Sequence, residues 1–336
     1  MFSTIIEFVL CLKFELNTLH LLSLTSKDVK DEIDKMRPIV RFSLSKVIKT
    51  RVFNIPQAIT TRFKITSLDF AMSNISEEYF TKILELISLC DSLTNLNLRH
   101  NKIGSEGAEK LSPVLGYCKL LAKLDISNNN IGSEGIESLA LVLGECNALT
   151  FLDISDNNIG PEGIKSLTPV LEKCGSLTHL DLSNNEFGDT GIKFLAPVLE
   201  QQQLGQRGAL TILKLREIQI GPLGIKSLAA VLPQCKALTH LDLSTNLIGP
   251  NGTKELAAVL PQCKALTHLD LSTNRIGPNG AEELAAVLIN PQCKSLSRLF
   301  LECNYIGKTG KNSLERAKSQ CSTLKYLFYE DYRSYQ

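Results

Sequence analysis

The chain has no tryptophan, only three methionines among 336 residues, and almost no excess of either charge, with a formal net of +1. A dedicated nucleic-acid binder carries a basic surplus, so near-neutrality argues against that class. No apolar run reaches the ~18 residues that a membrane-spanning helix needs. The amino-terminal "MFSTIIEFVLCLKFE" has no basic residue ahead of its apolar stretch, and Glu7 interrupts it, so it does not read as a secretory signal. G-x-x-x-x-G-K-[ST], H-E-x-x-H and G-x-S-x-G are missing, and "DISDNNIG" lacks the Gly and Glu spacing of a calcium loop. The expectation is a chain that is not an enzyme, with no catalytic set, no cofactor, no metal, and neither a nucleic acid nor a membrane as its partner.

What is present is repetition. "CKALTHLDLSTN" (residues 235–246) packs Cys, His, Asp and Ser, the side chains of nucleophilic catalysis, into twelve letters. The same twelve letters return at 263–274. Each unit opens on an apolar residue: Ile65, Leu93, Leu121, Leu149, Leu177, Leu210, Leu238, Leu266, Leu296 and Leu324, spaced 28, 28, 28, 28, 33, 28, 28, 30 and 28. That is nine repeats and a final half repeat. A catalytic site needs partners converging at one place; a set tiled along the chain is a structural unit.

Within a unit, L-x-x-L-x-L-x-x-N-x-I-G-x-x-G begins with the alternation of a strand. It continues as a helix, as in Ile136, Leu139, Val142 and Leu143. One such unit cannot bury its apolar faces alone, but stacked neighbours can. These units resemble the leucine-rich repeat family, and their length and "IGxxG…L…L…C" half resemble its ribonuclease-inhibitor-like subclass. The resemblance implies an α/β solenoid, a horseshoe with a parallel β-sheet on the concave face and α-helices on the convex face. It also implies binding of a protein partner on the concave wall. Residues 65–336 form the repeat domain, and 1–64 form a flanking or capping region.

The ninth residue is Asn in seven units, from Asn101 to Asn304, and is expected to bond the backbone where the strand turns. Ser73 and Ile218 break that ladder, which predicts weaker bonding there. Gly at the twelfth position suits a tight bend. Pro161, Pro222, Pro250 and Pro278 suit a first helical turn, whereas Pro113, Pro169 and Pro197 lie deeper and are expected to kink or shorten their helices. Eight of the ten cysteines, Cys90 to Cys321, share one position in the unit. Neighbouring helices stand roughly 8–10 Å apart, too far for a disulfide. These thiols read as small buried apolar residues, and their number favours a reducing, cytoplasmic setting.

Positions three, five and seven are expected on the concave surface, flanked by eight and ten. Position five is an acidic column of Asp69, Asn97, Asp125, Asp153, Asp181, Lys214, Asp242, Asp270 and Phe300. It reads as a solvated polar ladder or as a lane for a basic partner. The candidate contact residues are the departures from consensus. They are Asn97, Arg99, His100 and Lys102; Ile212, Lys214, Arg216 and Glu217; and Arg298, Phe300, Glu302, Tyr305, Tyr326 and Phe328. The last group reads equally as a terminal cap. The insertion at 200–209 is expected to bulge from the outer or side surface. In the flank, residues 26–36 read as a polar helix and "IVRFSLSKVI" as a capping strand, within a stretch, 37–64, that has seven basic residues and no acidic one. Alternative resemblances are a Ran GTPase-activating protein, whose arginine Arg99 or Arg216 would supply to a small GTPase, the sensor half of a nucleotide-binding receptor, and an F-box adaptor.

Overall fold

The computed structural model describes residues 39–43, 64–201 and 210–330. Among them, eleven strands form one parallel sheet in chain order: β1 (Ile39–Ser43), β2 (Lys64–Asp69), β3 (Asn95–Asn97), β4 (Lys123–Asp125), β5 (Phe151–Asp153), β6 (His179–Asp181), β7 (Ile212–Lys214), β8 (His240–Asp242), β9 (His268–Asp270), β10 (Arg298–Phe300) and β11 (Tyr326–Phe328). Nine α-helices separate β2 to β11: α1 (Glu77–Ser88), α2 (Gly104–Leu115), α3 (Gly132–Leu143), α4 (Gly160–Lys173), α5 (Gly188–Gln201), α6 (Pro222–Val231), α7 (Gly249–Val259), α8 (Gly277–Leu288) and α9 (Gly307–Gln320). Adjacent strands step about 4.8 Å and adjacent helices about 8–10 Å, so the stack curves with the sheet inside.

The core lies between the two layers. All ten openers are buried, as are the fourth and sixth residues of each full unit. One apolar cluster runs from Ile65 to Leu327. Each repeat thus closes its core on the next one, as a solenoid requires. The strand expected in the flank is β1, which pairs with β2 at the sheet edge. The helix expected over 26–36 and most of the insertion (202–209) lie outside the described residues.

Two glycines per unit do different work. Gly104, Gly132, Gly160, Gly188, Gly249, Gly277 and Gly307 have φ between 53° and 69°, the left-handed region in which a Cβ is strained. The second glycine sits where helices approach; a Cβ on Gly163 would collide with Ile159 and Ile136. Gly221 departs, with φ at −107°. Its N–H turns to Asp189 Oδ1 at 2.7 Å, whereas Gly249 and Gly277 donate to the backbone of the next unit. Where a unit has Ser76 for the glycine, that serine caps α1 by accepting from the Tyr79 N–H.

The deep prolines do not shorten their helices. α4 and α5 each run to fourteen residues straight through Pro169 and Pro197. Pro169 removes the N–H that would bond Lys165, and the Thr168 hydroxyl reaches that carbonyl instead, at 2.7 Å. Tightening occurs at another place, where Leu232–Gln234 and Leu260–Gln262 close α6 and α7 with a 3-10 turn.

Candidate binding face

The Asn ladder fixes the wall. Asn157 is fully buried. Its Nδ2 donates to the carbonyls of Ile126, Ile154 and Ser155 at 3.0 Å each, and its Oδ1 accepts from the N–H groups of Asn129 and Ile131. The breaks in the ladder are milder than expected. Ile218 still donates its N–H to Asn246, at 3.1 Å, and Ser73 donates to Asn101. What Ile218 lacks is an amide to offer the preceding unit, so its effect is one-sided.

In-register pairing sets two columns side by side. Position five runs Asp69, Asn97, Asp125, Asp153, Asp181, Lys214, Asp242, Asp270, Phe300, Phe328. Position three runs Lys123, Phe151, His179, Ile212, His240, His268, Arg298, Tyr326. The carboxylates are held by their own strands. Asp125 accepts from the Ser127 N–H and hydroxyl, at 3.0 and 2.7 Å, and Asp153 and Asp242 repeat this with Ser155 and Ser244. The hydroxyls of Ser127, Ser155 and Ser244 are therefore consumed by their own strands, while that of Ser272 donates to Glu302 of the next unit. Ser127, Ser155, Ser183 and Ser244 are buried, although alternation alone placed them on the surface. Arg99 and Arg216 occupy the same position and are exposed.

Stacking the carboxylates has an electrostatic cost. Burial, then Asp181 and Asp125, push the Asp153 carboxyl up to about 6, against the pull of its Ser155 bonds. Burial also raises Asp270. A carboxyl raised on folding binds more protons in the native state, so its contribution to stability falls as pH rises from about 4 to about 6. Asp153→Asn is expected to gain on the order of 1–2 kcal/mol at neutral pH and to remove that slope, measured by urea unfolding across pH. Asn97 shows that the amide keeps the bond, accepting from the Arg99 N–H at 3.1 Å.

The column contains one internal cation, Lys214, whose Nζ lies 3.1 Å from Asp181 Oδ2. Position three carries rings in contact. Phe151 and His179 have centroids 4.5 Å apart, and His240 and His268 stack at 3.9 Å. Arg298 lies over Tyr326 at 5.1 Å, and Phe300 stacks on Phe328 at 5.0 Å.

The candidate contact residues form three patches. Asn97, Arg99, His100 and Lys102 lie on and just after β3. Ile212, Lys214, Arg216 and Glu217 lie four strands on, roughly 19 Å away at strand spacing. Arg298, Phe300, Glu302, Tyr305, Tyr326 and Phe328 gather on β10, β11 and the turn between β10 and α9. His100, Lys102, Glu217 and Tyr305 have positive φ, placing them in the turn that leaves the sheet. The residues that reading by consensus passed over are His240 and His268. They sat in the two most alike units, and only strand register shows that their rings touch.

The cysteine column is buried and unpaired: Cys90, Cys118, Cys146, Cys174, Cys235, Cys263, Cys293 and Cys321. Burial pushes the Cys90 and Cys263 thiols up to about 12 and Cys118, Cys174 and Cys235 to about 11. Thiolate is the reactive form, so among the described cysteines Cys303, which is half-exposed, is expected to label first with iodoacetamide in the native protein. Peptide mapping after timed alkylation reads the order, and early labelling of Cys118 or Cys174 would contradict it. No group of three or more His, Cys, Asp or Glu among the described residues is placed to hold a metal.

Strand, turn and helix recur in one register around a shared core, and a family model described as Leucine Rich repeat matches residues 90–112, 117–140, 145–167, 173–196, 234–257 and 262–285. The chain is a leucine-rich repeat protein. The six matched segments leave out the Leu210 and Leu296 units, which carry two of the three patches of departures. The leucine-rich repeat-containing protein LegL7 from Legionella pneumophila is similar in structure, with a TM-score of 0.50 and 22% identity over 87% of this chain and 88% of that one. An internalin, inlF, from Listeria monocytogenes str. 4b F2365 has a TM-score of 0.38 and 20% identity over 73% of this chain and 77% of that one. At 22% identity the likeness to LegL7 concerns the fold alone. No curated protein matches the sequence. Among the described residues, no helix is long and apolar enough to cross a membrane.

Proposed function

We propose that this leucine-rich repeat chain is a non-enzymatic interaction scaffold that holds a protein partner on its concave wall, through residues 65–336. One observation carries the reading. Where a unit keeps the consensus, its seventh residue is a small serine, and at Ser127, Ser155 and Ser244 the hydroxyl is consumed by the aspartate of the same strand. Where it departs, as at Arg99, Arg216, Arg298 and Tyr326, the side chain stands exposed. Arginine and aromatic residues are the side chains that dominate interface energies. The ladder of unpaired thiols favours a reducing, cytoplasmic setting. Affinity capture from cytosol with the full chain, identified by mass spectrometry, should return a protein that Arg216→Ala or Phe300→Ala releases.

Arg99 and Arg216, exposed just after β3 and β7, support a second reading, a regulator of a small GTPase. Faster GTP hydrolysis by a small GTPase in the presence of the wild-type chain, lost in Arg99→Ala or Arg216→Ala, would favour it over a pure scaffold.

A further inference from the structure

His240 and His268 stack with planes 16° from parallel. Each Nδ1 touches the hydroxyl of the threonine before it, Thr239 Oγ1 at 2.8 Å and Thr267 Oγ1 at 2.7 Å. Those hydroxyls belong to a second ladder, at the strand starts. Thr94, Thr178, Thr211, Thr239 and Thr267 each donate to the carbonyl one unit back, at 2.9–3.1 Å, including in units with no histidine beside them. A hydroxyl has one proton to give. Thr239 commits its own to Thr211 O and Thr267 to Thr239 O, so both accept from the imidazoles. On this hydrogen-bond pattern we assign the proton of each neutral ring to Nδ1, which leaves Nε2 as an acceptor.

Asp242 and Asp270 stand two residues further along the same strands, in register with each other. Each accepts from its own chain through Oδ1. Two imidazole nitrogens and two carboxylates thus make an acceptor-only patch. Lys214, beside Asp242 in the column, is bonded to Asp181, and Arg298, beside His268, lies over Tyr326. Lys214 is thus neutralised by Asp181, whereas Arg298 keeps its charge at the edge of the patch.

We propose that His240, His268, Asp242 and Asp270 seat an arginine side chain from an extended segment of the protein partner. The inference rests on the concave wall being the binding surface and adds what the wall selects. A guanidinium is planar, always charged, carries five donors and no acceptor, and stacks on flat rings. It complements the patch in charge and hydrogen bonding. An ammonium matches the charge and donates too, but its three donors radiate from one point and cannot span the patch as a planar fork of five does. The charged and titratable groups on and after the flanking strands include His179, Lys214, Asp242, Asp270, Arg298 and Glu302. Burial, Arg298 and, for His268, its histidine neighbour hold both imidazoles below their ordinary range, so the acceptor form prevails at neutral pH. Protonation turns each Nε2 into a donor on a cation, and the seat then repels its occupant.

Fluorescence anisotropy with labelled hexa-arginine and hexa-lysine on the full chain tests this, with ¹⁵N NMR of the histidines alongside. Phenylalanine at both positions keeps the stack and removes both acceptors. The paired substitutions His240→Phe and His268→Phe are expected to weaken hexa-arginine binding about tenfold at neutral pH, while His179→Phe leaves it unchanged. Wild-type binding falls as pH drops toward about 5, and the paired variant keeps only the smaller fall that protonation of Asp270 causes. Equal binding of hexa-lysine, wild-type-like binding by the paired variant, or an Nε2–H tautomer at either histidine would each overturn the proposal. If it falls while Arg216→Ala or Phe300→Ala still releases the captured partner, the wall remains the interface and the arginine seat alone is wrong. If no wall variant releases a partner, the reading beneath it fails too.

Discussion

Asn157→Ala is expected to lose about 3 kcal/mol of stability, an unusually large effect for removing one polar side chain. The cost does not come from the three carbonyls. Ile126 O is also served by Asn129, Ile154 O by Asn185, and Ser155 O by the Asn128 N–H, so each keeps a partner. It comes from the N–H groups of Asn129 and Ile131, which turn to Asn157 Oδ1 inside a sealed turn. An orphaned buried donor costs about 1–3 kcal/mol, and two are created at once. Leucine at the same site would fill the volume and leave the same two donors stranded, so it should rescue little. Urea unfolding reads the result as a lower midpoint with an unchanged slope. A loss below about 1 kcal/mol would mean that water enters the turn and replaces the amide.

Lys214→Met is expected to cost about 2–3 kcal/mol at neutral pH. The stem is retained and the charge removed. Asp181 then loses the only cation in its column, with its side chain 8% exposed and Asp153 beside it in register. Leaving a buried carboxylate unpaired is what makes breaking such a pair expensive. Lys214 itself is 40% exposed, which tempers the figure toward the lower end. The loss should shrink as pH falls toward 6 and the Asp153 carboxyl, raised to about that value, takes up its proton. Adding Asp181→Asn should restore most of the stability, giving a coupling energy in the double-mutant cycle. A cost under about 0.5 kcal/mol, or no recovery in the double variant, would show that solvent already screens the pair.

Much of this was legible in the repeat. Ten openers spaced near 28 residues predicted ten strands and the helices between them, because only stacking buries both faces of such a unit. The cysteine column was legible for the same reason, since one buried slot recurs. Three features were not. Alternation assigned Ser127 and its equivalents to the surface, but a hydroxyl two residues from a carboxylate folds back onto it. Proline rules predicted kinked or shortened helices at Pro169 and Pro197, but neither helix is shortened, because a turn flanked by packed neighbours tolerates one missing N–H. The histidine pair hid inside the most regular units, because contact between rings depends on strand register, which repetition suggests but rotamers decide. The candidate patches at Arg99, Arg216 and Arg298 stand apart along the sheet, a separation visible in sequence once each residue is assigned to its strand.

Hydrogen exchange of the full chain, free and with its captured partner, tests the central claim most directly. Binding on the concave wall predicts added protection in the segments that follow the strands, around Arg216 and Glu217 and around Glu302 and Tyr305, with the outer turns of α3 and α4 unchanged. Protection confined to those helices, with the turns after β7 and β10 exchanging as in the free protein, would contradict it.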